Sequence, residues 1–188
     1  MRKLILVSLI LFCSMSYGQK LILTPNGLRD SINTEKTYVV ITIEGKTAKQ
    51  LYDNAIKYIN KAYKNPEDVI KGKTDGEYLK FITHEPQIFS FKFLGKIMPS
   101  SANFTTELSF KDGKVKYEIL NLEIQDKTEY GIETTPLIRT TGGGFFNKDG
   151  TSTTKFMAKA KIDVQNYFNT QISNLYDALI EKSKNDSW

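Results

Sequence analysis

The chain has 188 residues, of which 40% are hydrophobic, 12% aromatic and 25% charged, and its formal net charge is +5. These proportions are typical of a globular protein, and they exclude a disordered tail, a collagen-like repeat and a polytopic membrane protein. The length is sufficient for one domain with a core of its own.

The first 18 residues have the pattern of a secretory signal peptide. A basic start at Met1-Arg2-Lys3 precedes a short apolar run over residues 4–12, and Gly18 is a small residue placed before a cut at Gln19. The run is shorter than the roughly 20 residues of a membrane span. The sequence therefore predicts export to the periplasm or the medium, with no transmembrane segment after cleavage. The one cysteine, Cys13, would leave with the signal, so the mature chain would contain no disulfide and no thiolate site.

Cleavage would leave 24 basic and 21 acidic residues, which is a mild excess of positive charge. Only Arg29 and Arg139 of these basic residues are arginines, the residue type that reads guanine and phosphate bidentately. The sequence thus predicts no nucleic-acid partner.

Residues 19–37 have a weak pattern and are predicted to be a leader segment that pairs loosely with the fold, ahead of a single domain at 38–184. The domain begins with a predicted strand at 38–43, which is rich in β-branched residues. Thr47 and Gln50 have the spacing of a capping box and predict the start of a helix. Asn65-Pro66 is expected to end that helix, because the residue before proline disfavours helical geometry.

Alternating apolar and polar residues predict four antiparallel strands, at 78–83, 88–94, 104–110 and 115–124. The dipeptides Asp75-Gly76 and Asp112-Gly113 are typical of hairpin turns, and a change of parity near Leu120 predicts a bulge. Residues 125–152 are predicted to form a long surface loop with room for a small hairpin. An amphipathic helix is predicted over 156–184, and its apolar stripe consists of Met157, Ala160, Val164, Phe168, Ile172, Leu175 and Leu179.

This order of elements resembles an exported bacterial family, the domain of unknown function numbered 4468, which is described as having a TBP-like fold. The resemblance runs from about residue 38 to residue 182. It is carried by the helix from Thr47 to Asn65-Pro66, the short strand after Val69-Ile70, and the hairpin at 111–117. It implies an α+β fold of β-α-β(4)-α arrangement, an antiparallel sheet with two helices packed on one face. It supplies no catalytic residue.

The chemistry-bearing residues form no recognised catalytic pattern. His84 is the sole histidine and is expected in a turn between two strands. The carboxylate pairs that could serve as acid and base are Glu67 with Asp68, Glu123 with Asp126, and Glu129 with Glu133. No catalytic, cofactor-binding or metal-binding residue is predicted, and no cofactor.

One unusual string, Gly142, Gly143, Gly144, Phe145 and Phe146, is a candidate ligand or partner loop. Its backbone amides could bind an anion while its rings close over an apolar ligand. The simpler interpretation, which we favour, is a hairpin tip anchored to the sheet by its two rings.

The leading hypothesis is a non-catalytic binding or interaction domain of the cell envelope, whose partner is unknown and could be an envelope protein or an apolar small molecule. One alternative is a carrier that holds a lipid or other apolar molecule between the sheet and the C-terminal helix. Another is an enzyme with a carboxylate- or His84-based site.

Overall fold

The computed structural model describes residues 19–93, 95–128, 131–141 and 143–180. The predicted signal peptide, Leu94, Glu129, Gly142 and the end of the predicted last helix lie outside these residues. A six-stranded antiparallel sheet has the strand order β3-β7-β6-β5-β4, and β8 also pairs with β7. Its strands are β3 (Tyr38–Thr42), β4 (Ile70–Thr74), β5 (Tyr78–Phe93), β6 (Lys96–Lys111), β7 (Lys114–Thr128) and β8 (Gly131–Thr135).

The predicted leader is an integral part of the fold, which corrects the expectation of a loosely paired segment. It forms a hairpin of β1 (Leu21–Thr24) and β2 (Gly27–Asp30), and its three leucines are buried. The Asn169 side chain accepts a hydrogen bond from the Leu21 amide at 2.9 Å and donates one to the Leu21 carbonyl at 3.0 Å. An amide side chain on a helix thus pairs with the strand as a neighbouring strand would.

Helix α1 (Ala48–Ala62) begins where the capping box predicts it. The Thr47 side chain accepts from the Gln50 amide, and the Gln50 side chain accepts from the Thr47 amide. The helix ends at Ala62, three residues earlier than Asn65, and Pro66 is the first residue of a short second helix, α2 (Pro66–Val69). Proline suits that position because its missing N–H would have no helical partner there.

The sheet is built from three long strands where the sequence predicts four shorter ones. Strand β5 runs without a break through both predicted segments, with an irregularity between Glu85 and Phe89. His84 therefore lies within a strand, opposite Asn103, and not in a turn. Pro86 alone could not distinguish a strand from a turn. A proline is tolerated at a bulge, because the residue there does not have to donate a hydrogen bond to the neighbouring strand.

The bulge predicted near Leu120 is confirmed. The register of β6 against β7 shifts between Asn103 and Thr105, and Asn121 has a positive φ of 52°. On the other edge of β7, β3 pairs up to Glu118 and β8 begins its pairing at Ile124. No strand in the described part of the chain pairs with that edge over residues 119–123.

The region predicted as a loop at 125–152 begins with regular strands. Residues 125–128 complete β7, and β8 returns along it, so the irregular segment is confined to residues 136–154. Helix α3 (Lys155–Ile180) follows and buries five residues of the predicted stripe: Ala160, Val164, Phe168, Leu175 and Leu179. Helices α1 and α3 cover one face of the sheet, and the core lies between them and that face.

No helix within the described ranges combines the length and the apolar character that crossing a membrane requires.

Candidate functional site

The candidate loop at 142–146 places both of its aromatic rings in the core. Phe145 and Phe146 are fully buried, and the Phe145 ring meets Phe89 edge-to-face at 5.9 Å between centroids. The Phe145 carbonyl accepts from the Thr153 amide at 3.0 Å. The rings therefore anchor the segment to the sheet and do not stand over a binding surface.

Gly144 has a packing role in that segment. Its φ is +148°, and a Cβ atom built on it would lie 2.8 Å from the Cα of Arg139. Two backbones thus approach each other more closely than any side chain permits. Gly143 also has a positive φ, of +122°, but a Cβ there would meet nothing within 4 Å.

The residues considered for acid–base chemistry are separated in the structure. His84 is exposed, and its Nδ1 lies 2.8 Å from Oδ1 of Asn103, an amide and not a carboxylate. Glu123 and Asp126 are an odd number of positions apart on β7, so their side chains leave opposite faces. Asp126 accepts hydrogen bonds from the hydroxyls of Ser100 and Thr135.

Of the two remaining pairs, Glu67 and Asp68 line an open recess of about 430 Å³ beside Lys64. Glu67 and Asp68 are exposed in the first turn of α2, where they complement the helix dipole. Glu133 accepts a hydrogen bond from Thr128, and its predicted partner Glu129 lies outside the described residues. Among the residues that the structure describes, no group of three or more His, Cys, Asp or Glu side chains could hold a metal ion.

A cavity lies where the carrier hypothesis places its pocket, between the sheet and helices α1 and α3. Its walls hold four tyrosines, two on the helix side at Tyr58 and Tyr63, one on β7 at Tyr117, and one on α3 at Tyr167. The volume open to the centre of a water molecule is about 20 Å³. Since one water needs roughly 10–15 Å³ on this measure, the cavity holds one or two waters and is too small for an acyl chain.

The hydroxyls around this tyrosine cavity already have partners. Tyr58 donates to Gln171 at 3.3 Å, Tyr63 bonds Thr83, and Tyr117 bonds Thr106. Burial raises the pKa of Tyr117. The pKa of Tyr167 is raised chiefly by burial and, to a smaller extent, by the nearby Glu85 carboxylate. The hydroxyls therefore stay protonated at neutral pH and act as a polar network inside the core.

A larger recess, which we call the edge cleft, lies at the unpaired stretch of β7. One wall is residues 26–29 of the β1–β2 hairpin, the other is residues 119–122 of the bulge, and Thr37 and Leu137 stand at its ends. The volume open to the centre of a water molecule is about 220 Å³. Most of the lining residues are leucines or isoleucines: Leu28, Ile119, Leu120, Leu122 and Leu137.

The edge cleft also contains a guanidinium group without a carboxylate partner. Arg29 is half-buried there and donates from one nitrogen to the Leu28 carbonyl at 3.3 Å. The nearest acidic group that influences it, Glu118, is already engaged, with Oε1 accepting from Thr37 and Oε2 from Lys116 at 2.8 Å. Within the described ranges, Arg29 makes no ion pair shorter than 4 Å.

The surroundings of Glu118 favour its charged form. Burial alone would raise its pKa, but hydrogen bonds from Lys116 and Thr37, together with the positive charges of Lys116 and Arg29, outweigh burial and lower it. The Arg29 guanidinium has five N–H donors and uses one on the Leu28 carbonyl, so further donors can reach a ligand in the cleft.

The sequence analysis did not identify the edge cleft. Its walls come from the segment taken as a leader and from a bulge, which are 90 or more residues apart. The available signals were the isolated Arg29 and the parity change at Leu120, but only the tertiary structure brings them together.

The structure is similar to two solved structures. One is a DUF4468 family protein from Bacteroides ovatus, with 14% sequence identity and a TM-score of 0.59, and the match covers 78% of this chain and 86% of that chain. The other is a TBP-like protein from Parabacteroides distasonis, with 10% identity and a TM-score of 0.55, and it covers 76% of this chain and 90% of that chain. No family model matches the sequence, and neither does any curated protein.

These likenesses confirm the predicted α+β, TBP-like fold and agree, at the level of the fold, with the resemblance drawn from the sequence.

Proposed function

We propose that the protein is an exported, non-catalytic binding domain of the bacterial cell envelope and that the edge cleft is its binding site. The observation that carries this proposal is the pairing of an apolar recess of about 220 Å³ with a half-buried arginine that, among the described residues, makes no ion pair shorter than 4 Å. Recesses that combine apolar walls with a few polar groups are the usual form of binding sites.

The carrier alternative has much weaker support. The space between sheet and α3 is about 20 Å³ on the same measure, and hydroxyls paired with one another surround it. An apolar ligand there would have to displace these hydrogen bonds and leave buried hydroxyls without partners, which costs free energy. The edge cleft requires no such displacement.

Support for export comes from the sequence of residues 1–18, with its basic start and short apolar run. Expression of the full chain in a bacterial host tests this part of the proposal. We expect intact-mass analysis of the exported fraction to give a chain that begins at Gln19. A chain that stays in the cytoplasm with residues 1–18 attached would overturn the assignment to the envelope.

Site-specific photo-crosslinking in the producing cell tests the binding site. The photoreactive amino acid p-benzoylphenylalanine replaces Asn26, which is exposed at the mouth of the edge cleft, or Lys71, which is exposed on the opposite edge of the sheet in β4. We expect a heavier crosslinked species from position 26 only. Equal crosslinking at both positions, or none at either, would contradict the proposal.

A further inference from the structure

We infer that the edge cleft binds an extended peptide segment that adds as a strand to β7 and presents a carboxylate to Arg29. This inference rests on the proposed function, because it names the class of partner for the same site.

The backbone of β7 offers an unpaired edge of defined length. Pairing with β3 ends at Glu118, and pairing with β8 begins at Ile124, so five residues lie between two strands that are already in place. The bulge at Asn121, whose φ is 52°, bends this edge, so the residues on either side of it are the ones that a partner strand would pair with. A short peptide in strand conformation is the ligand whose N–H and C=O groups repeat at the spacing of such an edge.

The far edge of the sheet carries protection that this stretch lacks. Strand β4, at the far edge, has lysines exposed at positions 71 and 73, a common device against pairing with another chain. Residues 119–123 are Ile-Leu-Asn-Leu-Glu and include no lysine or proline. Their leucines are half-buried toward the cleft, so the edge presents apolar side chains beside its free backbone.

The charge in the cleft selects the chemistry of the peptide. Arg29 uses one of its five N–H donors on the Leu28 carbonyl and, in the part of the chain that the structure describes, makes no ion pair shorter than 4 Å. Two parallel N–H groups of a guanidinium match the geometry of one carboxylate. A segment with an Asp or Glu residue next to an apolar residue would satisfy the arginine and fill the leucine-lined recess together.

Panning of a phage-displayed library of random heptapeptides, on the protein purified from the exported fraction, tests this inference. We expect the enriched peptides to combine an acidic residue with β-branched or aliphatic residues. A selection that enriches nothing, or enriches peptides without a carboxylate, would overturn the inference.

Two pairs of variants locate the binding of an enriched peptide, measured by fluorescence anisotropy. Arg29→Gln should weaken binding about tenfold or more, since a charge-assisted pair is lost, whereas Arg139→Gln, at an exposed arginine of the loop, should change it less than about twofold.

Leu137→Trp should block the cleft, and Ile132→Trp, at a side chain 71% exposed on β8, is its control. Equal binding by Arg29→Gln and Arg139→Gln would contradict the inference, and this pair decides the matter if Leu137→Trp fails to fold.

The strand geometry has its own readout. Methylation of alternate backbone nitrogens of the enriched peptide should abolish binding in one register and spare it in the other, because alternate residues of a strand point their N–H groups to opposite sides. Equal binding of both methylated peptides would exclude strand addition. If position 26 crosslinks in the cell while the peptide tests fail, the binding function stands and only the peptide class falls.

Discussion

Gly144 is the residue whose backbone the fold restricts most severely. Replacement by alanine would put a methyl group 2.8 Å from the Cα of Arg139 and 2.9 Å from its nitrogen, so the two backbones must separate. We expect Gly144→Ala to lower the free energy of unfolding by roughly 2–4 kcal/mol, as strain at special backbone positions does. Urea unfolding followed by circular dichroism measures it.

Gly143→Ala is the matched control for that substitution. It also has a positive φ, but its Cβ would enter open space. Only the backbone strain of about 1–2 kcal/mol remains. Equal losses for the two variants would show that the close approach to Arg139 has no energetic weight.

Phe145 distinguishes a structural role of the loop from a ligand-binding role. Its ring is buried against Phe89, so we expect Phe145→Ala to cost about 3–5 kcal/mol of stability. Phe156→Ala, at a ring 37% exposed that also contacts Phe89, should cost clearly less. A Phe145→Ala protein with unchanged urea midpoint would favour the ligand-binding interpretation of the loop. Thermal and urea unfolding of both variants provide the measurement.

The sequence could name these residues but could not place them. Consecutive glycines and phenylalanines predict an unusual backbone and an apolar anchor, both of which are found. Whether such rings cover a ligand or fill the core depends on Phe89, which lies more than 50 positions earlier. Local pattern contains no information on that pairing.

At the scale of elements, the β1–β2 hairpin is attached to α3 by the side chain of Asn169. We expect Asn169→Ala to reduce stability by about 1–3 kcal/mol, because the buried amide and carbonyl of Leu21 both lose their partner. Asn166→Ala, exposed on the same helix, should have little effect. Hydrogen exchange of the Leu21 amide should accelerate in the first variant only; unchanged exchange would show that the hairpin is held by other contacts, such as the bond from the Leu23 amide to Gln165.

Elements with strong periodicity were the predictable part of the fold. Helix α1 starts at its capping box, and the stripe of α3 is buried as its three- and four-residue spacing requires. The β1–β2 hairpin was not predicted because each of its strands has only four residues. The alternating pattern that contains Leu21, Leu23 and Leu28 is therefore too short to indicate a strand. The continuity of β5 through two predicted strands was not predicted either, because in sequence a proline inside a bulge looks the same as a proline in a turn.

At the scale of the whole molecule, the candidate site depends on the order in which the strands are arranged. The edge cleft exists because β3 and β8 share one edge of β7 and leave five residues between them. That gap is a property of sheet topology, and no single segment encodes it. The sequence could therefore predict the α+β fold, from its periodic elements, but not the position of the edge cleft.

The tyrosine cavity makes the stability of the whole molecule depend on pH in alkaline solution. Burial raises the pKa of Tyr117 above its usual value of 10.0. Above pH 10 the unfolded chain loses this proton while the folded chain keeps it, so the unfolded state binds fewer protons and stability falls as pH rises. Below pH 10 the effect is absent, and above it the loss continues until the pH reaches the raised pKa of the folded state.

Tyr117→Phe isolates this contribution from those of the lysines and the other tyrosines. At pH 7 the variant should lose about 1 kcal/mol with the hydrogen bond to Thr106. Between about pH 10 and 11 its free energy of unfolding should fall less steeply than that of the parent protein, by up to about 1.4 kcal/mol per pH unit. The two stability curves should therefore converge with rising pH. Curves that stay parallel in urea titrations at pH 7, 10 and 11 would mean that the Tyr117 hydroxyl ionises in the folded protein as readily as in the unfolded chain, and the cavity would then be open to water.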